Sequence, residues 1–409
     1  MSIYIILEKK ALQMKYEIKK MCAGKYNKII WSILLIATIF LGIMPARTVS
    51  IQEDINGSNM VKGRKAIQLE QERYKNSEGE LTLEKISSFI GKIKEFPNDE
   101  AAYSTLSFEE PGMLKILSYA YSTPDGSFMA AAKKTNGKDF YEKNQDQIND
   151  LIKNNKDNYR DEEKQIIIEK AKSLKTPYYL TYAKQWSLLH KSFSLLYMII
   201  ALSLIIQTSS VFSYEKEICM DRILVSSVRK RGQIVNNKIK AVVSFIAIQW
   251  LISSIILIAI FGFNFGFSGF FSQIQIEYFT SIYNLTFGKT LIMEIFLGFV
   301  TLISISLLTM VINYFNKNTF KTLLISIAIV FIPLIVLRFP GLSNSLRRFI
   351  ETLPIFGGNI YKNLLTLNIY NIFNISVLRT SKIFFNTVVL IVLELLVMKL
   401  KTQFIRRTK

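Results

Sequence analysis

Residues 213–240 read SYEKEICMDRILVSSVRKRGQIVNNKIK, a charged stretch set between apolar runs at 188–213 and 241–263. Each run is near the roughly 18 to 20 residues that an α-helix needs to cross a bilayer. Four more runs of this kind lie at 29–46, 290–312, 322–339 and 383–400. A soluble fold distributes its apolar residues along one face of each element, whereas here they are massed. The expected fold is an α-helical membrane protein with six transmembrane helices, in which 214–240 is a polar loop between the second and the third.

The net charge of +20 would suit a nucleic-acid partner if the basic residues shared one surface, so its distribution matters. The segment before Ile29 has seven basic residues against two acidic ones. Segment 214–240 has seven against three, 313–321 has two against none, and 399–409 has five against none. Six spans put these four segments on one side, and the positive-inside rule makes that side cytoplasmic. The charge is then mostly topological. It implies a multi-pass protein of the cell (plasma) membrane, bacterial in type, with both termini cytoplasmic and with the lipid bilayer, not nucleic acid, as its medium. Segment 338–382 carries six basic residues against one acidic yet falls outside, an exception that a statistical rule tolerates.

Between the first two spans, 47–187 holds 22 basic and 22 acidic residues and is long enough for a domain of its own. This large extracytoplasmic insertion is expected to be mainly helical. Segments 81–96, 140–154 and 161–174 read as helices, with Leu83, Ile86, Ile90 and Ile93 spaced for one face and Ile148, Leu151 and Ile152 for another. Pro97, Pro111-Gly112, Pro124-Asp125-Gly126 and Asn136-Gly137 read as turns. The adjacent acids Glu109-Glu110 and Glu162-Glu163 diverge by about 100° on a helix and read as solvated surface. The two cysteines, Cys22 and Cys219, both fall on the cytoplasmic side, which leaves the insertion without a disulfide framework. The single histidine, His190, excludes a multi-histidine metal cluster and reads as an interfacial residue at the mouth of the second span. At the start of the chain, Leu7, Ala11, Met14, Ile18 and Met21 recur at helical spacing among lysines, so 1–28 reads as a basic amphipathic helix on the inner headgroup layer. A charged region of 28 residues ahead of the first apolar run is too long for an ordinary signal peptide.

The phrase FSYEKEICMDRILVSSVRKRGQIVNNKI, residues 212–239, resembles the cytoplasmic stretch that follows the second helix in ABC-2 type permeases, the membrane subunits of ATP-binding cassette exporters. In that family an acidic residue closes the second span, a leucine and serine follow, and a basic residue and a lysine lead into the third. The matching positions here are Glu215 or Glu217, Leu224, Ser226 or Ser227, Arg231 and Lys238, while Cys219 and Val228 stand where the family often has glycine and proline. The resemblance covers the membrane part of the chain and not 47–187. It implies a loop that couples to an ATPase, with Glu215, Glu217, Arg222, Ile223, Leu224, Ser227, Arg231 and Lys238 as its residues. It also implies two partners, an ATP-binding cassette ATPase subunit and a second permease copy or paralogue. ATP and Mg would sit on the ATPase, and no cofactor on this chain. A phosphate-binding loop needs Gly, four residues, then Gly-Lys-Ser/Thr. Phe287-Gly288-Lys289-Thr290 imitates its end, but Tyr283 occupies the first glycine position, so the chain is expected to be a transport subunit and not an enzyme.

Two acids fall inside spans, where ionised side chains are costly and face the protein interior. Glu294 lies near the outer end and is expected to reach water; Glu394 lies near mid-membrane and is a candidate for the translocation path. The outer loop 340–382 is broken by Pro340-Gly341, Leu353-Pro354 and Gly357-Gly358. In the related permeases this region dips into the outer leaflet as short re-entrant helices, which would set Ile355 and Phe356 at an outer gate, whereas an ordinary extracellular loop is the simpler alternative. Two further readings compete. A mechanotransmitting permease of the macrolide-exporter type would have four spans. A membrane sensor or immunity protein would capture a peptide through the insertion without transport.

Overall fold

A computed structural model describes residues 16–21, 24–55, 59–122, 127–155, 159–217, 231–373 and 375–407. Six of its helices are long and apolar enough to cross a membrane. They are α1 (Lys25–Thr48), α9 (Lys184–Thr208), α11 (Arg231–Phe265), α12 (Phe287–Asn316), α13 (Thr319–Val336) and α16 (Arg379–Arg407). Six such helices fit a six-span layout better than a four-span one. Helices α1, α11, α12 and α16 run longer than the apolar runs that predict them, because flanking polar residues continue the helical hydrogen bonding, whereas α9 and α13 start before their runs and end short of them, at Thr208 and Val336. The 35 residues of α11 make a helix of about 50 Å at 1.5 Å per residue, far more than the ~30 Å hydrocarbon core. Its first ten residues, 231–240, therefore belong to the third helix and not to a loop.

Helices α9 and α12 occupy the centre of the bundle and are buried around most of their circumference, while α1, α13 and α16 lie at the edge with most of their apolar side chains exposed. An apolar exterior of that kind is what lipid requires. Between α12 and α13 stand only Lys317 and Asn318. Lys317 takes the left-handed conformation (φ 49°) and Asn318 caps α13 by accepting from Lys321 N at 2.9 Å, so the two helices form a tight antiparallel pair. Close approach elsewhere rests on glycine: a Cβ on Gly298 would lie 2.7 Å from the Trp250 ring, whose Nε1 donates to Ile295 O at 2.8 Å.

The insertion between α1 and α9 folds as a helical domain. It comprises α2 (Arg64–Lys75), α3 (Leu83–Glu95), α4 (Asp99–Glu109), α5 (Pro111–Ala120), α6 (Phe128–Lys133), α7 (Phe140–Asn154) and α8 (Asp161–Lys172). Two short strand pairs frame it. The hairpin β1 (Ser50–Gln52) with β2 (Met60–Lys62) opens the domain, and β3 (Gly79–Glu80) pairs antiparallel with β4 (Tyr179–Leu180) near its end. The core is built from Ala66, Ile67, Ile86, Ile90, Ile93, Ala102, Leu106, Met113, Leu117, Ile148 and Ile167, each no more than 1% exposed. Leu83 and Leu151, read from spacing as core positions, are exposed instead. Leu83 is the first residue of its helix and Leu151 sits a quarter turn off the buried line Ile148–Ile152. Pro111 starts a helix and does not merely turn the chain, because its missing N–H costs nothing at the first helical position.

Returning from α13, the chain forms α14 (Asn344–Ile350), a 3₁₀ turn at Pro354–Phe356, α15 (Ile360–Leu365) and the hairpin β5 (Ile369–Ile372) with β6 (Ile375–Leu378), whose register pairs Ile372 with Ile375. The 3₁₀ turn enters the bundle. Tyr197 Oη donates toward Pro354 O at 2.9 Å and lies 2.9 Å from Thr301 Oγ1, and both residues sit near the middle of their helices. A Cβ on Gly358 would be 2.0 Å from Tyr197 Cγ, and one on Gly357 2.4 Å from Thr301 Cγ2. Those two glycines are what allow the backbone to descend among the spans.

Candidate functional site

At the basic end of the bundle the two sides of the charged stretch are tied together. Glu215 sits in the helical turn Tyr214–Glu217 (α10), and its Oε1 lies 2.7 Å from Lys238 Nζ and 3.3 Å from Lys20 Nζ. Lys238, seven residues into α11, is 1% exposed; its ammonium also donates to Val211 O at 2.5 Å and lies 5.1 Å from the Phe212 ring centroid. A buried ammonium is tolerated only when its charge and its donors are met. Here a carboxylate, a carbonyl and an aromatic face meet them. Asn313, on α12, accepts from the backbone N–H of Phe212 at 2.7 Å and of Ser213 at 3.2 Å, and donates to Ser213 Oγ and Thr322 Oγ1. Thr319 Oγ1 then donates to Glu217 at 2.7 Å. The base of the stretch is thus clamped to α11, α12 and α13 at once.

Of the residues predicted for coupling, Glu215, Glu217 and Lys238 meet in this clamp, and the acid and the lysine chosen from sequence order prove to be one ion pair. Arg222, Ile223, Leu224 and Ser227, with Cys219 and Val228, lie outside the described residues; Arg231 begins α11. Of the amphipathic segment, residues 16–21 are helical, Met21 is buried and Lys20 joins the clamp, while Leu7, Ala11 and Met14 lie outside the described residues. The sequence signal for the Lys20 contact is absent, since it spans 195 positions.

The interior candidates stand apart from one another. Glu394, on α16, is nearly buried and accepts from Ser304 on α12 at 3.2 Å, with its Oε2 unpartnered among the described residues. Phe356 is buried in the 3₁₀ turn with the Arg379 guanidinium 5.9 Å from its ring centroid. Glu294 does not reach water: it is fully buried and its Oε2 lies 2.7 Å from His190 Nδ1. His190 is likewise buried, not interfacial, because Glu294 of α12 and Tyr278 of the 274–283 loop pack against it.

A second set of charges fastens the insertion to the bundle. Glu163, read from its acidic run as solvated surface, is 2% exposed. Arg348 grips it with two hydrogen bonds, Nη1 to Oε1 at 2.8 Å and Nη2 to Oε2 at 3.0 Å, and it also accepts from Arg160 N at 3.0 Å as the cap of α8. Burial would raise the Glu163 carboxyl, but the Arg348 and Arg160 bonds outweigh it and hold the group below its ordinary range. Farther along, Lys184 pairs with Glu70 at 3.0 Å, Gln71 donates to Phe265 O at 2.5 Å, Lys115 pairs with Glu277, and Asn144 donates to Phe279 O. These contacts join α2, α5, α7 and α8 to the loops at the end of the bundle. The insertion also presents an open groove of about 800 Å³ lined by Tyr121, Lys134, Asp139, Lys143, Asp146 and Asp150 among others. No group of three or more potential metal ligands occurs among the described residues. Comparison of the chain with family models, curated proteins and solved structures gives no match.

Proposed function

We propose that this chain is the permease subunit of an ABC-2 type exporter, moving a substrate outward with ATP hydrolysed by a separate nucleotide-binding subunit. The observation that carries this reading is the clamp. A loop that receives force from a cytosolic ATPase must pass it into the spans, and Glu215, Lys238 and Asn313 bind both ends of the basic stretch to three membrane helices. The basic segments on that end support a cytosolic position for it by the positive-inside rule, which would put the insertion outside and the termini inside. The exposed apolar faces of α1, α13 and α16 leave room for a second permease copy in the bilayer. Phe356 and the buried Glu394 would line the path only when the helices that cover them part.

The open groove favours a second reading, a sensor or immunity protein that captures a peptide through the insertion. The two differ in their need for an ATPase. In proteoliposomes that hold the chain with an ATP-binding subunit co-purified with it, deletion of Ile223–Val225 or Arg231→Glu should abolish transport-coupled ATP hydrolysis while leaving the insertion folded. Unchanged hydrolysis and transport in both variants would overturn the permease reading.

A further inference from the structure

Inside the insertion end of the bundle, His190 on α9 and Glu294 on α12 form a closed pair that the coupling clamp does not use. Their contact is 2.7 Å and both are 0% exposed. His190 Nε2, Glu294 Oε1 and Tyr278 Oη are all buried without a protein partner among the described residues, and the Tyr278 ring lies 6.3 Å from the imidazole. Such a cluster leaves hydrogen-bonding capacity open on two ionisable side chains and a phenol. We infer that His190 and Glu294 form a proton-binding site, sealed from water by the 274–283 loop.

The pair is neutral when it holds one proton, as carboxylic acid with imidazole or as carboxylate with imidazolium. Losing that proton leaves one net negative charge, and gaining a second leaves one net positive charge. Either is costly in a buried site, so exchange must accompany opening to water. The lid is built for that role. Tyr278 lies beside the imidazole, and its chain neighbour Glu277 is paired with Lys115 of the insertion. Tyr278 contacts Tyr361 of α15 at 5.6 Å, and Lys191 lies 4.8 Å from the Tyr361 ring. The charged and titratable neighbours are therefore Lys191 on α9, Glu277 and Tyr278 on the loop, Lys115 and Tyr119 on α5, and Tyr361 on α15. Lys289, one helical turn above Glu294, is exposed. Neither α1 between Lys28 and Arg47 nor α11 beyond Lys240 contains an ionisable acid or base. A proton entering from the insertion side thus meets this pair before Glu394, the other carboxylate in the six spanning helices. The inference is independent of the exporter reading.

His190 is the only histidine, so imidazole ¹⁵N labelling of the full, untagged chain in nanodiscs reports this site alone. Across pH 4.5 to 9 the signal should show one protonation step, Glu294→Gln should shift its midpoint by at least about one pH unit, and Lys115→Met should speed its response to a pH jump by about tenfold or more. The wild-type titration and the Lys115 variant keep the test valid if Glu294→Gln does not fold. An imidazole whose charge is constant throughout, a midpoint unmoved by Glu294→Gln, or a response rate unmoved by Lys115→Met would each overturn the proposal.

Discussion

The two ends of the bundle handle charge in opposite ways. At the basic end one carboxylate, Glu215, serves two lysines, and the surplus of positive residues continues into the stretch beyond it. At the insertion end the buried acids are each met by bases of their own: Glu163 by Arg348 and Arg160, Glu277 by Lys115, Glu70 by Lys184, Glu294 by His190. Surplus charge on a clamped base is suited to engaging another molecule, whereas matched and buried charge holds a domain in place. The lesson is that net charge by segment gives only where basic residues gather, whereas the pairing of individual charges distinguishes an end with surplus charge from one whose acids are each met.

That contrast can be broken at its steric centre first. Gly358→Ala would drive a Cβ into Tyr197, where flexible relief is blocked by the bonds of Tyr197 to Thr301 and Pro354. A loss of about 3 kcal/mol or more is expected, read as a fall in the detergent-solubilised melting temperature, with both ends of the bundle loosened together. Glu215→Gln should cost about 3 kcal/mol because it leaves the Lys238 ammonium buried without its counter-charge. Lys238→Met should cost less, since Glu215 keeps Lys20. Equal effects of these two substitutions would show that the clamp is not organised around the lysine. The smallest of the four effects belongs to the fastening. Glu163→Gln should weaken docking of the insertion by about 2 kcal/mol, measured as hydrogen exchange at 161–172 and 344–350. Because the Glu163 carboxyl is held below its ordinary value of 4.5, its contribution is complete above that pH and is lost as the pH falls through its lower folded value. The wild-type docking should thus weaken in acid, and the variant should lose that dependence.

The six spans were legible because a bilayer demands long apolar runs whatever the neighbours. Glu215 and Lys238 were legible as ends of a loop, but their pairing was not, because it depends on α11 starting at Arg231, ten residues before its apolar run. His190 and Glu163 misled for a common reason. Their local surroundings, a lysine in one case and a run of acids in the other, describe exposed segments. What buries them comes from residues 278 and 348, some 88 and 185 positions away. Helices α2 and α4 went unread because their buried faces are short, Ala66 with Ile67 and Ala102 with Leu106. The two glycines at 357 and 358 signalled a break in the chain, and only the position of Tyr197 shows that the break lies inside the bundle.

In the proposed exporter the basic end engages an ATPase and the insertion end does not. A photo-crosslinking residue placed at Leu224, and in a second sample at the exposed Lys153 of α7, tests it in the native membrane. The predicted result is an ATP-binding subunit joined to position 224 and absent from position 153. A crosslink to that subunit from position 153, or an ATPase-free product from position 224 in cells that contain the ATPase, would contradict it.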